Sequence, residues 1–565
     1  MSIINLNVGN CQHCYKCIRL CPLKSIAFKD GSVSIIKQEC VLCGTCVECC
    51  PQNARFTRND IPKVQQLIAA GRRVYVTVAP SWEAYFEGVS FEELSASLKR
   101  LGFAGVEETA IGAAETSRSY AQLLSQGRME NIITTACPSA VMLVEQRYPH
   151  LIPMLAPVLS PMEAHASLMR RMYGDIDVVF AGPCLAKMHE AGDPLAGQAV
   201  NHAVTFSALA QWMVLSPQTA DGPDAEAPGV DEPVARLYPK PAGILRTIPE
   251  SGLNGYRTLA VDGVEECIAL FDWLSLYPQK GLFIEANICR GGCLGGPVMR
   301  MDSKTPFGSG LLIDHLPKER DSRPAPTAQQ RVAYHRPFSN RKQEYIHPTE
   351  QQVEDILAKI GKTHPESELN CGSCGYPTCR AKAEAVFLGK ADINMCLPFL
   401  REQAENISST VIEHSPNSII ALSGDMDVID LNPRAEQIYG VTKQRAVGQM
   451  LPDFFGEDSF EQARESGYPV SKVGLVTSGN VEIEQTVVYI RESDTYIVFS
   501  KDITAARQHQ RQLEELRMNT VDVAQRVIDK QMRVAQEIAS LLGETTAETK
   551  VALTNLKKTM NGENQ

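Results

Sequence analysis

The spacing of its cysteines constrains the fold of this 565-residue chain more than any other feature. All 18 cysteines except Cys49 and Cys267 fall into spaced groups, most of them flanked by glycine or proline. In a reducing compartment, such groups are more often metal ligands than disulfide partners. Cys49 lies outside the repeated pattern, and Cys267, in "VEECIAL", is interpreted as a small buried apolar residue.

The first group is a doubled run, "CQHCYKCIRLCP" and "CVLCGTCVECCP". Each half has the C-x2-C-x2-C-x3-C-P pattern of bacterial two-cluster ferredoxins, in which the fourth cysteine binds the other cluster. Zinc also accepts four cysteines, but the repeated run with its two prolines favours 4Fe-4S clusters. The pattern assigns one cluster to Cys11, Cys14, Cys17 and Cys50, and the other to Cys40, Cys43, Cys46 and Cys21.

A second group, "CGSCGYPTC" followed by Cys396, has a spacing that can surround a third 4Fe-4S cluster. It resembles the small iron–sulfur domain of several anaerobic redox proteins. Zinc is a stronger alternative here, because zinc modules share the C-x2-C spacing. Iron is favoured because the chain is already rich in cluster motifs. The expected ligands are Cys371, Cys374, Cys379 and Cys396.

The remaining four cysteines lie in three short motifs, "TTACPSAV", "AGPCLAKMHE" and "EANICRGGCLGGP". In this order and spacing, behind a ferredoxin module, they resemble the three cysteine motifs of FeFe hydrogenases. The resemblance covers roughly residues 1–310. It implies an H-cluster, which is a 4Fe-4S cubane joined to a di-iron centre with CO, cyanide and azadithiolate ligands. By motif match the cubane ligands are Cys137, Cys184, Cys289 and Cys293, and the last of these bridges to the di-iron centre.

Further features transfer from the same resemblance. Lys187 matches the lysine that donates to a cyanide ligand, as a charge-assisted donor. Glu190 matches the glutamate that supports this motif. Either could be an ordinary surface residue, but both stand at the family's offset from Cys184. The glycines of "CRGGCLGGP" are expected to let the backbone close over the large cofactor.

The sequence departs from the family along its proton path. Productive members have a proton-shuttling cysteine just before the first cubane ligand, and Ala136 stands in that place. A methyl group neither donates nor accepts a proton. Farther along the path, Ala156 replaces a serine and Arg118 replaces a glutamate, while Glu115 matches another glutamate. The loss of one acid–base group typically costs about 10²–10⁴ in rate, so we expect slow turnover.

Charge and hydropathy argue against several classes of protein. The formal net charge is −11, which disfavours non-specific binding to nucleic acid. We find no apolar run long enough to span a bilayer, and the N-terminus lacks the features of a signal peptide. We therefore expect a cytoplasmic protein with neither a nucleic acid nor a membrane as partner.

The pattern changes after residue 400. The stretch "NSIIALSGDMDVIDLNPRAEQIYGV" predicts a strand, a turn, a strand and a helix that begins near Asn432 and Pro433. The stretch "VVYIRESDTYIVFSKDIT" predicts two strands joined at Ser493 and Asp494. This region resembles a PAS domain, a sensory α/β fold, and the alternative is another small α+β domain. It contains no recognisable haem or flavin ligand.

Apolar residues spaced three and four apart follow the PAS-like region. They predict a coiled coil, or one amphipathic helix packed on its own chain, and a second helix is expected after Gly543. The residues in this stripe are Leu513, Leu516, Thr520, Val523, Val527, Val534, Ile538 and Leu541.

The predicted fold is therefore a multidomain α/β chain. Residues 216–241, rich in proline and acidic residues, are expected to form a surface insertion. The expected parts are a two-cluster ferredoxin module (1–60), an H-cluster domain (61–310), a linker (311–348), a 4Fe-4S domain (349–400), a PAS domain (405–505) and a helical coiled-coil output segment (506–565).

This architecture resembles that of sensory FeFe hydrogenases that contain a PAS domain. It implies three 4Fe-4S clusters and an H-cluster that binds H2 and oxidises it slowly. The redox state would pass through the clusters, with a redox partner such as ferredoxin. It would reach a homodimeric PAS–helix unit that acts on a kinase, phosphatase or regulator. Two alternatives stay open: a catalytic ferredoxin-linked FeFe hydrogenase, and an iron–sulfur electron-transfer protein without a di-iron centre.

Overall fold

Short strands and cysteine-bearing loops build the N-terminal module. Ile4–Leu6 pairs antiparallel with Arg55–Thr57, and Ile26–Lys29 pairs antiparallel with Ser32–Ile35. The module has two short helices, and each contains the third cysteine of one run. These helices are Lys16–Leu20 and Thr45–Glu48. The last strand of the module thus returns to pair with the first strand of the chain.

The chain divides into two compact units, Met1–Phe399 and Leu400–Gln565. The fold is that of a computed structural model, which describes residues 2–215, 233–314, 335–450, 457–476, 481–542 and 546–560.

A four-stranded parallel sheet forms one half of the region after the ferredoxin module. Its strands are buried along almost their whole length, and they are rich in valine, as expected for a sheet covered on both faces. In spatial order the strands are Gly105–Glu108, Val74–Val78, Asp177–Gly182 and His202–Thr205.

A second, three-stranded parallel sheet forms the other half. In spatial order its strands are Arg257–Asp262, Leu282–Asn287 and Asn131–Ile133. The chain passes between the two sheets three times, so segments far apart in sequence meet where the sheets adjoin. The predicted α/β class is confirmed for this region.

Helices cover the two sheets and connect their strands. The Phe91–Arg100 helix begins with a capping box in which Ser90 and Glu93 satisfy each other's backbone N–H groups, and it buries Leu94 and Leu98. The longer helices of this region are Ile61–Ala69, Phe91–Arg100, Ala110–Gln126, Pro138–Arg147, Pro161–Tyr173, Phe206–Leu215, Val264–Leu276 and Pro306–Asp314. The shorter ones are Trp82–Tyr85, Ala186–Glu190 and Pro297–Met301.

A small helical region completes the first unit. Its helices are Glu350–Lys359 and Cys379–Phe387, and Leu397–Glu413 begins just beyond them. The region lies against the ferredoxin module: Phe28 N donates to Lys390 O at 2.9 Å, and Lys24 Nζ donates to Gly375 O at 2.8 Å.

The predicted surface insertion and the predicted linker both contain buried residues. Residues 216–232 lie outside the described residues, but the end of the predicted insertion is interior. Ala235 is buried, and the buried Arg236 pairs with Glu108 at 2.6 Å. The predicted insertion is therefore too long at its C-terminal end, because a bidentate ion pair holds this end against the first sheet.

The predicted linker also differs from expectation. The Pro306–Asp314 helix extends into it, and residues 315–334 lie outside the described residues. Residues 335–348 form no regular secondary structure, yet Arg336 is only 3% exposed. Residues 335–348 are therefore not exposed along their whole length, because ion pairs of Arg336 with Glu190 and of Arg341 with Asp193 hold them against the preceding region.

The second unit contains a five-stranded antiparallel sheet. Its strands, in spatial order, are Val428–Leu431, Ser418–Ser423, Thr495–Asp502, Val481–Ile490 and Val470–Val476. The helices beside it are Pro433–Tyr439, Lys443–Ala446 and Glu457–Ser466. The side chain of Asn432 caps the first of these helices by accepting from Ala435 N at 3.0 Å. The predicted order of strands and helix is confirmed, including the turn at Asp494.

The chain then continues as the Thr504–Leu542 helix and the Thr546–Met560 helix. Both predicted helices are confirmed. The predicted apolar stripe is exposed from Leu513 to Ile538, with Leu513 at 51%, Leu516 at 62% and Val523 at 53%. The alternative of a helix packed along its length on its own chain is thus wrong for these positions.

None of the described helices is both long enough and apolar enough to cross a bilayer.

Candidate functional site

Three cysteine motifs meet because each follows the carboxyl end of a parallel strand. Cys137 lies beyond the Asn131–Ile133 strand and is the N-cap of the Pro138–Arg147 helix. Cys184 follows Asp177–Gly182 of the other sheet. Cys289 and Cys293 follow the Leu282–Asn287 strand. Carboxyl ends of parallel strands are the usual place for a ligand site in such sheets.

One cavity, of about 90 Å³, brings these residues together. Its wall includes all four cysteines of the three motifs, together with Ala136 and Lys187. Ser81, which sequence analysis missed, also lines the cavity, and its buried hydroxyl makes no hydrogen bond to any described group. An unpartnered buried hydroxyl in a cavity wall is expected to face a polar ligand. Four thiols and such a hydroxyl fit a large iron–sulfur cofactor.

Burial favours the protonated form of all four thiols when no metal is bound. Burial raises the pKa of the Cys184 thiol to about 11, and burial likewise raises the pKa of Cys137, Cys289 and Cys293. Cys293 is accessible because it faces the open cavity, although the surrounding protein still penalises its thiolate. Since metals bind thiolates, loading this site must release protons.

Contacts within the protein explain why the third motif requires glycine. A Cβ atom on Gly292 would lie 2.3 Å from the carbonyl oxygen of Pro239, and one on Gly295 would lie 1.8 Å from that of Arg290. Gly292 also has φ +66°. The loop is therefore compacted against its own backbone, whereas the sequence alone suggested close approach to a cofactor.

Lys187 and Glu190 form a buried ion pair beside the cavity. Lys187 Nζ donates to Glu190 Oε2 at 2.6 Å, and Ser160 Oγ donates to the same oxygen at 3.0 Å. Glu190 is fully enclosed, and Lys187 is 8% exposed and lines the cavity. The ammonium has three donors, so it can serve Glu190 and an anion in the cavity together.

Arg336 is a third member of this charge system that the sequence did not indicate. Its guanidinium donates to Glu190 Oε1 at 2.6 Å, and it is as buried as its partner. It comes from the stretch that composition marked as a linker. No local pattern could have revealed a pair of residues 146 positions apart.

Ala136, at the predicted place of a proton-shuttling thiol, lies in the cavity wall beside Cys137. Ala156 is buried, and Glu115 forms an ion pair with Arg118. The side chain of Ala136 thus has no hydrogen that could be transferred as a proton.

Glu285 is a buried acid near the cavity that sequence analysis missed. Burial raises its pKa to about 7. Its carboxyl accepts from Ile244 N at 2.9 Å, from Leu245 N at 3.2 Å and from Asn287 Nδ2 at 2.9 Å. Asn287 lines the cavity, so a group that titrates near neutral pH lies one hydrogen bond from the cavity wall.

Two smaller cavities separate the ferredoxin cysteines into the predicted sets. One is lined by Cys11, Cys14, Cys17 and Cys50, and the other by Cys21, Cys40, Cys43 and Cys46. Cys50 therefore lies with the cysteines of the first run, and Cys21 lies with those of the second run. Ala54 N donates to Cys50 Sγ at 3.3 Å and Leu42 N donates to Cys40 Sγ at 3.4 Å, as backbone groups do around clusters.

Cys374 of the small helical region lies close to the second ferredoxin set, which is Cys21, Cys40, Cys43 and Cys46. Cys374 and Cys21 both interact electrostatically with Lys24. The ammonium of Lys24 donates to backbone carbonyls of Ile18 and Gly375. Across the described residues, no three Cys, His, Asp or Glu side chains lie close enough to share a single metal ion.

The second ferredoxin set also adjoins the large cavity. A Cβ on Gly44, between Cys43 and Thr45, would lie 2.3 Å from Pro297 Cβ, so this cluster loop touches the end of the third motif. Arg300 and Glu48 form an ion pair at 2.8 Å across the same contact. The second ferredoxin set thus lies between Cys374 of the small helical region and the cavity of the three motifs.

Four protein families match separate parts of the chain. Residues 72–297 match the C-terminal domain of the iron-only hydrogenase large subunit, and residues 3–60 match the 4Fe-4S dicluster domain. Residues 368–398 match an Fe-S cluster family, and residues 408–503 match the PAS fold.

Individual relatives share shorter stretches. The chain is 27% identical over 182 residues to the NADP-reducing hydrogenase subunit HndD of Solidesulfovibrio fructosivorans, covering 27% of this chain and 31% of the relative. It is 26% identical over 176 residues to the cytosolic Fe-S cluster assembly factor NAR1 of Yarrowia lipolytica, covering 27% and 36%. It thus spans about a third of the length of these two relatives. A solved variant of FeFe-hydrogenase HydA1 from Chlamydomonas reinhardtii has 16% identity and a TM-score of 0.36, covering 51% of this chain and 100% of that one.

Together, the hydrogenase domain, the iron–sulfur domains and the PAS domain fit a PAS-containing protein of the FeFe-hydrogenase type. The predicted resemblance to FeFe hydrogenases and the predicted domain types are confirmed. An iron–sulfur cofactor content and an oxidoreductase character follow from these domains in general terms.

Glu163 gives a pH-dependent stability that can be measured. Burial, and next the charge of Glu190, raise its pKa to about 8, and Ala199 N donates to its Oε2 at 2.8 Å. The native state therefore keeps a proton that the unfolded state loses. Stability should fall as pH rises from the ordinary glutamate range to about 8, by up to about 1.4 kcal/mol per pH unit.

Glu163→Gln should remove this part of the pH dependence. In cofactor-free protein, the melting temperature of the variant relative to the wild type should rise between about pH 6 and about pH 8.5. The exposed Glu92→Gln is the control and should show no such trend. A constant difference for Glu163→Gln would contradict the protonated state.

Proposed function

We propose that this chain is a sensory FeFe hydrogenase of low turnover. One observation supports this most: a single cavity combines all four cysteines of the hydrogenase motifs with Ala136 at the place of the proton-shuttling thiol. A site that keeps its metal ligands and lacks its nearest proton donor favours binding of H2 over rapid turnover.

The proposed site assigns the H-cluster to four cysteines, with Cys293 as the bridge to the di-iron centre. When bound, this cofactor supplies the cleavage of H2, and the protein binds and orients it. Lys187 is proposed to donate to a cyanide ligand, because its ammonium lines the cavity and is held by Glu190. The cubane ligands are Cys137, Cys184, Cys289 and Cys293.

Twelve of the remaining cysteines, which exclude Cys49 and Cys267, are proposed to hold three 4Fe-4S clusters. The cavities of the ferredoxin module and the contact of Gly44 with Pro297 favour electron transfer between these clusters and the large cavity. A soluble ferredoxin is the proposed redox partner. The division into ferredoxin, H-cluster, small cluster, PAS and helical parts belongs to the same proposal, as does a cytoplasmic setting that keeps thiols reduced.

The output is proposed to leave through the PAS domain and the long helix. The exposed stripe with Leu513, Leu516 and Val523 has the spacing of a coiled-coil seam, so a second copy of the chain is the proposed partner of this helix. A kinase, phosphatase or regulator would then respond to the dimer.

A second candidate function is an iron–sulfur protein without a di-iron centre. The similarity to an Fe-S cluster assembly factor supports this second candidate. A ferredoxin-linked enzyme with rapid turnover is the third, and Glu285 is the buried acid that such an enzyme could use to hold and move protons.

Ala136→Cys should raise the rate of H2 turnover by about tenfold or more, because it restores an acid–base group at the cavity. The gain should be partial, since Ala156 stays in place. The rate should be measured per loaded H-cluster, with Ala136→Ser as the control that restores size and polarity without an acidic thiol. An unchanged rate with an intact H-cluster would mean that the missing thiol does not limit turnover.

Cys293→Ala should abolish the infrared bands of CO and cyanide, because it removes the bridge to the di-iron centre. Cys267→Ala is the matched control: it removes a buried thiol outside the proposed ligand sets and should leave these bands in place. H2-dependent bands that persist in Cys293→Ala would overturn the assignment of the site.

A further inference from the structure

Residues 335–348, here called the connecting segment, lie between the hydrogenase-like region and the small helical region. A stretch without helices or strands would normally be exposed. This one instead places Arg336 beside the Lys187–Glu190 pair, where its side chain is only 3% exposed. A buried guanidinium is strongly disfavoured unless it is paired, so this placement requires its partners.

Both the backbone and the guanidinium of Arg336 make defined contacts. Its backbone N–H donates to the carbonyl oxygen of Pro157 at 3.3 Å, and its guanidinium lies 5.3 Å from the centre of the Phe338 ring. The guanidinium donates to Glu190 Oε1 at 2.6 Å and approaches Asp193 at 3.9 Å. These contacts fix both its position and its direction.

Glu190 is therefore shared between two cations, each on its own oxygen. Oε2 accepts from Lys187 and Ser160, and Oε1 accepts from Arg336. A carboxylate bound on both sides cannot rotate freely, so Lys187 is held in one place at the cavity. The second cation also offsets the charge of Glu190, which leaves more of the positive charge of Lys187 for an anion in the cavity.

The connecting segment continues from this site to the other cluster regions of the first unit. Arg341 pairs with Asp193 at 2.9 Å and with Glu145 at 3.3 Å. Farther along, Tyr345 donates to Glu39, the residue before Cys40. Glu39 also pairs at 2.6 Å with Lys390 of the small helical region.

We propose that Arg336 is a positioning residue of the H-cluster site, which acts through Glu190 on the orientation and charge of Lys187. The connecting segment thereby links Lys187 at the cavity to the second ferredoxin set and to the small helical region. This inference rests on the proposed H-cluster, but it adds a residue outside the three cysteine motifs to the site.

The test compares Arg336→Gln with Arg341→Gln in the full chain loaded with the H-cluster. Both variants remove one arginine from the same segment, but only Arg336 contacts Glu190. In Arg336→Gln, Lys187 is drawn to Glu190 alone and donates less to cyanide. The infrared bands of cyanide should then shift to lower frequency, because a hydrogen bond at the nitrogen stiffens the C–N bond. Arg341→Gln should leave these bands in place, and Arg336→Lys should restore them in part.

The outcomes separate this inference from the proposed function. If the wild type has no CO or cyanide bands, the proposed function and this inference both fail. If the wild type has the bands and Arg336→Gln leaves them unshifted, only this inference is overturned. Equal shifts in Arg336→Gln and Arg341→Gln would also overturn it, because they would report a general loosening of the connecting segment. Melting temperatures of all variants check that each one is folded.

Discussion

The convergence of cysteines from two separate parallel sheets is the constraint on which the rest of the hydrogenase-like region depends. Cys137, Cys184 and Cys289 lie on loops that follow three different strands, and the two sheets must adjoin for one cavity to contain all three. This explains why the loops are so tightly built. Gly292 and Gly295 pack against neighbouring carbonyl groups, so the cavity has a fixed wall before any cofactor binds.

The charges beside the cavity follow from the same convergence. Glu190 is the last residue of the helix that begins after Cys184, and its buried carboxylate must be paired. Lys187 provides one partner from the same turn, and Arg336 provides the other from a distant part of the chain. Glu190 thus has both of its cationic partners only when the connecting segment is in place. The connecting segment joins the cavity to the rest of the first unit through ion pairs that can be removed one at a time.

Sequence alone predicted the fold class, the cluster motifs and the order of the PAS strands, because these depend on local spacing. The C-x2-C-x2-C-x3-C-P runs set which ferredoxin cysteines surround each cavity, and Asn432 marked the start of a helix. Contacts between distant residues left no such signal. The burial of Arg236 and Arg336 was missed, because proline-rich and charged composition indicates a surface loop unless the partners are known. Glu285 was missed because a single glutamate in an apolar strand has no motif.

Infrared spectroscopy of the anaerobically matured protein, first under argon and then under hydrogen, tests most directly whether this chain senses H2. Bands of CO and cyanide that shift reversibly with hydrogen are expected, together with a low specific activity in a parallel assay. Protein that is fully loaded with iron but lacks such bands would contradict the H-cluster and leave an iron–sulfur electron-transfer protein. Bands accompanied by rapid turnover would contradict the sensory role and favour a catalytic hydrogenase.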